Sequence, residues 1–402
     1  MNICKWYNDA NSPVVFMIDD LANVWVDTNN NGKIDIEEDW GYAGFSENSS
    51  FRYLEKNILK DFENIKITFF VPVGNRVGMI ENPCIKSTSR PINSSNKSKE
   101  FFKKINDSTK FEIAYHGTDH GRVGKTNEDF IQEWELFNSV EEANLKTRKG
   151  IDIYIDTLGK KPLGGKYCGY MSNQFSDCSI DELKFLWWCR FCNLDTEDAF
   201  QENRLIKEFH GTDTNFITNN DIKIFGKNNI IDIPTTVNGG LLTGIYSKSG
   251  SLPKKIFKIL FPQILARKKL KIIDNLIENK LVISIQEHIS PARDDGRRQT
   301  PNIYDDTKSL VNIFKYLKNK NIWNCTCSEL ASYVYYRENI KFEMVEGGFT
   351  TNFNVLKKYE YKHITIKLED IKNIETPSGE ILNSNKGIFN IKLEVGKYRY
   401  IQ

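Results

Sequence analysis

The sequence predicts an α/β fold, a layer or barrel, with a small antiparallel β module at its C-terminal end. Apolar strands alternate with helical stretches over most of the chain, the pattern of α/β domains. Several of these strands end in polar residues, and in such folds catalytic groups gather at the carboxyl ends of the strands. From about Ile340 the pattern changes to short runs alternating apolar and polar residues, KFEMVEGGF, HITIKLEDI and GIFNIKLEVGKYRYIQ, divided by Gly, Pro and Asn. That is a small antiparallel module, too short for a large core of its own and expected to pack on the main domain. These features divide the chain into a barrel domain at 1–338, with an insertion at about 179–243, and a β module at 339–402.

In chain order, SPVVFMIDD is a short strand ending in acids, and Phe51 to Ile65 has helical periodicity. KITFFVPVG, Lys66 to Gly74, is a buried strand closed by Pro and Gly. KFEIAYHGTDH, Lys110 to His120, is a third strand with His at its end. The stretch from Asn127 reads as one long helix or two shorter ones stopped at Gly159, and KPLGGKYCGY then re-enters a strand or loop. The segment from about Ser179 to Thr243 fits neither pattern, hence the insertion, which would shape a cleft. Pro253 to Lys280 is helical, basic and amphipathic, with Pro262 as a kink or break. LVISIQEHISP is the next strand, ending in His288, and DDTKSLVNIFKYLKNKNIW is another helix.

A chain of 402 residues, 40% of them hydrophobic, can bury a large core. A formal charge of +2 argues against a nucleic-acid binder that relies on a basic face. The first residues hold no apolar run of signal-peptide length, and no segment reaches the roughly 18–20 unbroken apolar residues of a spanning helix. The expectation is a cytoplasmic protein, at most resting on the inner membrane surface. Its eight cysteines are expected to be reduced packing residues, although Cys189-x-x-Cys192 and Cys325-x-Cys327 have spacing that can share a zinc.

Chemistry concentrates in two places. His116 and His120 lie four apart in HGTDH, and on a helical turn that spacing puts both imidazoles on one face, within reach of one ion. Asp19-Asp20, one strand earlier, offers the carboxylate that completes a hydrolytic Lewis-acid site. Adjacent carboxylates point to opposite sides of a strand, so the pair requires a bend at the strand end. The ordinary reading of H-x-x-x-H, two surface or core histidines, weighs equally on spacing alone, but only five histidines occur in the chain.

The succession FMIDD, ITFFVPVG, FEIAYHGTDH, GGKYCGY and VISIQEH resembles the NodB-homology polysaccharide deacetylases, carbohydrate esterase family 4, over roughly residues 13–335. The resemblance implies an irregular (β/α) barrel and a single catalytic divalent metal, with zinc expected and cobalt, manganese or nickel as alternatives. It implies Asp20, His116 and His120 as ligands, Asp19 as general base and His288 as the acid that protonates the leaving amine or alcohol. Tyr167 and Tyr170 would line the substrate, with backbone N–H groups near Tyr167 holding the oxyanion. Three departures stand out. Lys166 occupies the place nearest the family's usual arginine beside the base, and lysine lacks the bidentate fork. The family's Asp-Trp motif is not evident, leaving Asp232 as a candidate partner that would raise the pKa of His288. Gln286 and Glu287 precede His288, and His210 is a rival for the acid. His363, in the β tail, fits a sheet face.

DTNNNGKIDIEE matches a calcium loop: Asp27, Asn29 and Asn31 at positions 1, 3 and 5, Gly32 at 6, Lys33 carbonyl at 7, Asp35 at 9 and Glu38 at 12. Calcium there would be a structural clip; the alternative is a solvated Asn/Asp/Gly turn. The substrate would be a sugar, a nucleotide sugar or a lipid-linked glycan of surface-polysaccharide biosynthesis. Arg293 and Arg297, with Arg298, would then meet a phosphate or sugar carboxylate, or lie in a solvated loop. The basic helix within 253–280 suits either an ordinary barrel helix with solvated lysines, which weighs more, or peripheral contact with an anionic membrane. The rival functions are a non-catalytic carbohydrate-binding protein on the same scaffold and a metal-independent hydrolase such as a glycosidase.

Overall fold

The computed structural model describes residues 1–34, 40–192, 221–247, 252–351 and 359–401. Its centre is a parallel sheet: β1 (Ser12–Asp19), β2 (Ile67–Val71), β3 (Phe111–Tyr115), β4 (Gly164–Lys166), β5 (Trp187–Cys189), β6 (Ile230–Asp232), β7 (Val237–Asn238) and β8 (Ile283–His288). The spatial order is β6-β5-β4-β3-β2-β1-β8-β7. β6 and β7 stand at opposite ends of that order, yet only residues 233–236 separate them. These residues bridge both edges. Ile233 N–H donates to Trp188 O at 2.9 Å, Thr235 N–H to Phe191 O at 3.0 Å, and Thr236 N–H to Ser284 O at 3.1 Å. One continuous stretch thus pairs with both edges and curls the sheet into an irregular barrel. Two short strands join it, Lys223–Phe225 antiparallel beside β6 and Ile322–Asn324 parallel beside β1.

Side chains alternate along the strands, so each face builds its own core. Phe16, Ile18, Phe69, Ile113 and Ile285 pack with the helices that connect the strands. These are α1 (Asn96–Asn106), α2 (Val140–Leu158), α3 (Leu252–Leu260), α4 (Pro262–Glu278) and α5 (Ile303–Leu317). Local chemistry sets their ends. Ser95 and Ser139 cap α1 and α2, each side chain accepting an N–H from the first turn, and Gly159 stops α2 at φ 73°. The opposite parity, Val15, Met17, Phe70, Ala114, Trp187 and Ile231, packs on α6 (Cys327–Asn339) and on the C-terminal sheets through Phe349, Ile364, Phe389 and Tyr398. Barrel and β module therefore share one core.

The structure corrects four boundaries. The segment at 179–243 is not an insertion, since β5, β6 and β7 come from it; its residues 193–220 lie outside the described ones. The β module also recruits the other end of the chain: Asn2 and Ile3 pair with Lys367 and Ile366, so 1–338 is not a separate unit. Helix begins only at Val140, after two short 3-10 turns and a two-stranded ribbon of Gly121–Arg122 with Ile131–Gln132. Phe51 to Ile65 is helical only over Ser50–Leu54, followed by a π turn at Glu55–Leu59. Pro262 breaks the basic segment into α3 and α4.

Gly165 shows how tight the middle of the sheet is. A Cβ there would sit 2.2 Å from Tyr115 O and 2.6 Å from the Trp188 ring. Backbone cannot yield as a flexible side chain can, so Gly165→Ala is expected to cost at least about 2 kcal/mol in urea denaturation. An unchanged midpoint would contradict this packing.

Candidate active site

Strand register brings four site residues to one level. His288 pairs with Asp19, Asp19 with Phe70, and Phe70 with Ala114. Gly165 pairs with Tyr115, so Lys166 and His116 leave β4 and β3 side by side. β1 ends at Asp19, and Asp20 adopts φ 70°. A left-handed residue without glycine is strained by about 1–3 kcal/mol and persists only when its surroundings hold it. Here Asp20 N–H donates to Phe70 O at 2.9 Å and Ala22 N–H to Asp20 O at 2.6 Å. This is the bend that adjacent carboxylates require.

The HGTDH segment is not the helical turn that its spacing suggests. Gly117 and His120 have φ of 81° and 76°, and the loop wraps around the buried carboxylate of Glu133. Glu133 accepts N–H bonds from Thr118 (2.8 Å), Asp119 (2.7 Å) and His120 (2.8 Å), and its own N–H donates to His120 O at 3.2 Å. A Cβ on Gly117 would lie 2.9 Å from Glu133 Oε2, so glycine meets both the φ and the space. Burial raises the Glu133 pKa, while the N–H donors and Lys146 oppose it. The sequence reading missed Glu133 entirely; its one signal is an acid among Phe130, Ile131 and Trp134 in FIQEW.

His116 Nδ1 lies 3.0 Å from Lys166 O, so it carries the proton and leaves Nε2 as a lone pair. His120 Nε2 stands 3.1 Å from Asp20 Oδ1. That oxygen is fully buried and has no partner of hydrogen-bonding geometry, although the imidazole beside it helps lower the carboxyl's pKa. Such an orphan is what a cation would satisfy. Asp20 Oδ2 is held by Arg76 Nη2 at 2.9 Å, another contact the sequence reading missed. Burial works to raise the Asp20 pKa, but Arg76 and His120 overcome it and hold the carboxyl well below its usual range. Burial lowers His116 to about 4, with Asp19 pulling the other way, so the imidazole is neutral at pH 7. Among the described residues, His116, His120 and Cys168 also bring ligand atoms within 4.8 Å of one another. The Cys168 thiol, however, donates to His116 O at 3.1 Å, and burial beside Glu133 raises its pKa well above normal. Asp20 offers an anionic oxygen to the His120 imidazole, and by donor chemistry the two imidazoles and this carboxylate suit a divalent ion.

Asp19 is organised differently. Lys166 Nζ donates to its Oδ1 at 2.7 Å, and the same ammonium bonds Gln286 Oε1 and sits 4.6 Å from the Phe70 and Tyr170 ring centres. Asp19 Oδ2 remains, 3.9 Å from both His116 Nε2 and His288 Nε2. His288 Nδ1 bonds Pro301 O at 2.8 Å, which fixes the tautomer with Nε2 toward Asp19. Burial lowers the His288 pKa, opposed by Asp19.

Other expected site residues stand elsewhere. Asp232 does not partner His288; it binds Arg190 Nε at 2.9 Å beneath the β5–β6 edge. Arg190 also holds Asp177 at 2.6 Å, and Asp177 accepts the Tyr167 hydroxyl at 2.6 Å. Tyr167 is therefore a buried core residue among Trp134 and Trp188, not a substrate contact. Tyr170 lies behind the site, its hydroxyl 3.0 Å from Gln286 Oε1. Arg293 turns its Nε onto Asp295 at 3.0 Å instead of presenting its fork to an anion, while Arg297 is exposed. His363 packs between Tyr7 and Tyr361 on its sheet. In the acidic loop, Asp27 caps the N–H groups of Asn31 (3.1 Å) and Gly32 (2.7 Å), Asn29 also caps Asn31 (2.9 Å), and Asn31 caps Lys33 (2.8 Å). Lys86 Nζ donates to Gly32 O at 3.1 Å. Asp35, Glu38 and His210 lie outside the described residues. The cysteines are free, and among the described residues those of the two short-spaced pairs form no metal-holding group.

No protein-family model and no curated protein matches the chain. Several solved structures are similar. A protein described as a polysaccharide deacetylase from Mycobacterium smegmatis is 14% identical, with 84% of this chain and 95% of that one covered, at a TM-score of 0.44. Another so described, from Pseudomonas aeruginosa PAO1, is 12% identical with 84% and 95% covered, also at 0.44. A GH57 branching enzyme from Thermococcus kodakaraensis is 10% identical with 80% and 70% covered, at 0.44. At identities and TM-scores this low the likeness carries no chemistry, which rests on the side chains described above.

Two outcomes follow from this geometry. Glu133→Ala removes the acceptor that orders residues 118–120 and should weaken zinc affinity about 10–100-fold, as loss of an outer-shell partner does, read by competition with a chelating dye. Between pH 6.5 and about 4 the unfolded chain takes up a proton at His116 that the folded chain refuses. Stability of the metal-free protein should therefore fall as pH drops through that window, and fall less steeply in His116→Asn. Equal slopes in pH-dependent denaturation would refute the buried neutral imidazole.

Proposed function

We propose that the chain is a metal-dependent hydrolase that removes an acetyl group from a sugar or glycan. The observation that carries this reading is the buried, unpartnered Asp20 Oδ1 facing His120 Nε2 at 3.1 Å, with His116 Nε2 left free by its bond to Lys166 O. Asp20, His116 and His120 would hold the ion, zinc or a similar divalent metal. When bound, it supplies a Lewis acid that polarises the acyl oxygen and acidifies a water.

The chain's own groups divide the proton work. Lys166 occupies Asp19 Oδ1, so Oδ2 is the oxygen available to take the water's proton. His288 Nε2, at 3.9 Å from that oxygen, stands where it can relay the proton to the leaving amine or alcohol. Its Nδ1–H, tied to Pro301 O, keeps Nε2 turned inward through the cycle. The bond from Lys166 Nζ to Oδ1 also fixes the orientation of the Asp19 carboxyl. The substrate class rests on the motif order that resembles the polysaccharide deacetylases; acetylated sugars, nucleotide sugars and lipid-linked glycans all belong to it.

Acetate release from acetylated sugars by the zinc-loaded protein tests the reading. Asp19→Asn should lose about 10²–10⁴-fold in rate while retaining zinc, and His116→Ala should lose both zinc and rate. Normal release by Asp19→Asn would overturn the base assignment. Zinc binding with no acetate from any acetylated sugar would favour a carbohydrate-binding role, and metal-independent cleavage of glycosidic bonds would favour a glycosidase.

A further inference from the structure

The crossing from β7 to β8 holds a surface that the chemistry above does not use. α4 buries Leu270, Ile273 and Leu276 against the barrel, as a connecting helix should. In α3, by contrast, Leu252, Ile256, Ile259 and Leu260 recur at i, i+4, i+7 and i+8, a single helix face. That face is turned to solvent, each of the four being between 48 and 76% exposed. Phe261 and Ile264 carry the exposed patch across the break into α4. A contiguous apolar patch of this kind marks a contact surface.

Charge identifies the partner. From Ser247 to Ile273 the sequence has no Asp or Glu. Arg267, Lys268, Lys269 and Lys271 are exposed, and Arg267, Lys268 and Lys271 fall three, four and seven residues beyond Ile264, on its flank. Apolar side chains bordered by cations, with no anion between, complement an anionic lipid surface, where the apolar face enters the acyl boundary and the cations meet headgroups. Among the described residues no helix is long and apolar enough to cross a membrane, so the contact is in-plane.

Topology fixes which end of the barrel is presented. Glu278, the last residue of α4, is followed after four residues by β8, so the helix runs against the strand. At ~1.5 Å per residue its 17 residues extend roughly 25 Å, as far as the strand or farther. Its first turn, and α3 with it, therefore lie at the carboxyl end of the barrel, the end that carries Asp19 and His288. Contact between α4 and the Gly239–Leu242 turn that follows β7 agrees with this placement.

We propose that α3 and the first two turns of α4 dock in-plane on an anionic membrane, seating the mouth of the site at the lipid–water boundary. Flotation of the full-length protein with vesicles tests this without any turnover, so its outcome is independent of the deacetylase reading. Partition onto phosphatidylcholine vesicles with about 30 mol % phosphatidylglycerol should exceed that onto phosphatidylcholine alone by roughly 10-fold and should fall at high salt. The pair Ile259→Glu with Leu260→Glu, and separately Arg267→Glu with Lys268→Glu, should each lower it by roughly 10-fold with an unchanged circular dichroism spectrum. Equal partition on neutral and anionic vesicles, or none on either, would overturn the proposal. So would a dimer in light scattering that Ile259→Glu with Leu260→Glu dissociates while vesicle binding is absent, since a second copy would then cover the face.

Discussion

The site depends on a single backbone constraint, the left-handed turn at Asp20. An extended strand would send Asp19 and Asp20 to opposite faces, one toward the helices and one toward the site. With φ at 70°, both carboxylates turn toward the same cluster of imidazoles but meet different partners. Asp19 takes a lysine and faces two imidazoles, while Asp20 takes an arginine and one imidazole. Two chemically identical groups thus acquire different surroundings, the means by which one kind of side chain can serve two roles. The strain is carried by neighbours that are themselves immobile: the Phe70 carbonyl belongs to a central strand, and Arg76 is nearly buried.

Much of this was legible in the sequence. The parallel strands β1, β2, β3 and β8 announced themselves as apolar runs, and β1, β3 and β8 each end at or just before a site residue. Asp19, His116, Lys166 and His288 stand at or just past strand ends, where register places side chains at a common height; Lys166 and the division of roles came only from the resemblance of the motifs to a known family. What escaped was long-range and local at once. Glu133 acts through backbone N–H groups, which leave no mark in side-chain patterning. Arg76 lies in a loop whose direction only the fold decides. Asp232 and Tyr167 were misassigned because burial beside Arg190 and Asp177 cannot be inferred from a strand-end position. The strands β5 to β7 are three residues or fewer, too short to show periodicity, so the segment holding them read as an insertion.

Buried charge is handled unevenly around the barrel. The Arg190–Asp232–Asp177 cluster is paired throughout and adds rigidity under the β5–β6 edge. Glu287, next to His288 but on the other face of β8, has no such partner among the described residues. Burial, reinforced by Asp306 and Asp305, pushes its carboxyl well above the usual range, with the His288 backbone opposing. Gly239 makes room for it, since a Cβ there would overlap Oε1 at 1.7 Å. Neighbouring positions on one strand thus carry an imidazole toward the site and a buried acid toward the helices.

The pairing of Asn2 and Ile3 with Lys367 and Ile366 bears on biosynthesis. Those first residues leave the ribosome before any barrel strand, yet their partners emerge more than 350 residues later. The face of the barrel that packs on α6 and the C-terminal sheets stays uncovered for the same interval. Nascent chains therefore expose Val15, Met17 and Phe70 until residues 327–398 have emerged, and closure of this core is a long-range step of the kind that slows folding and invites chaperone capture.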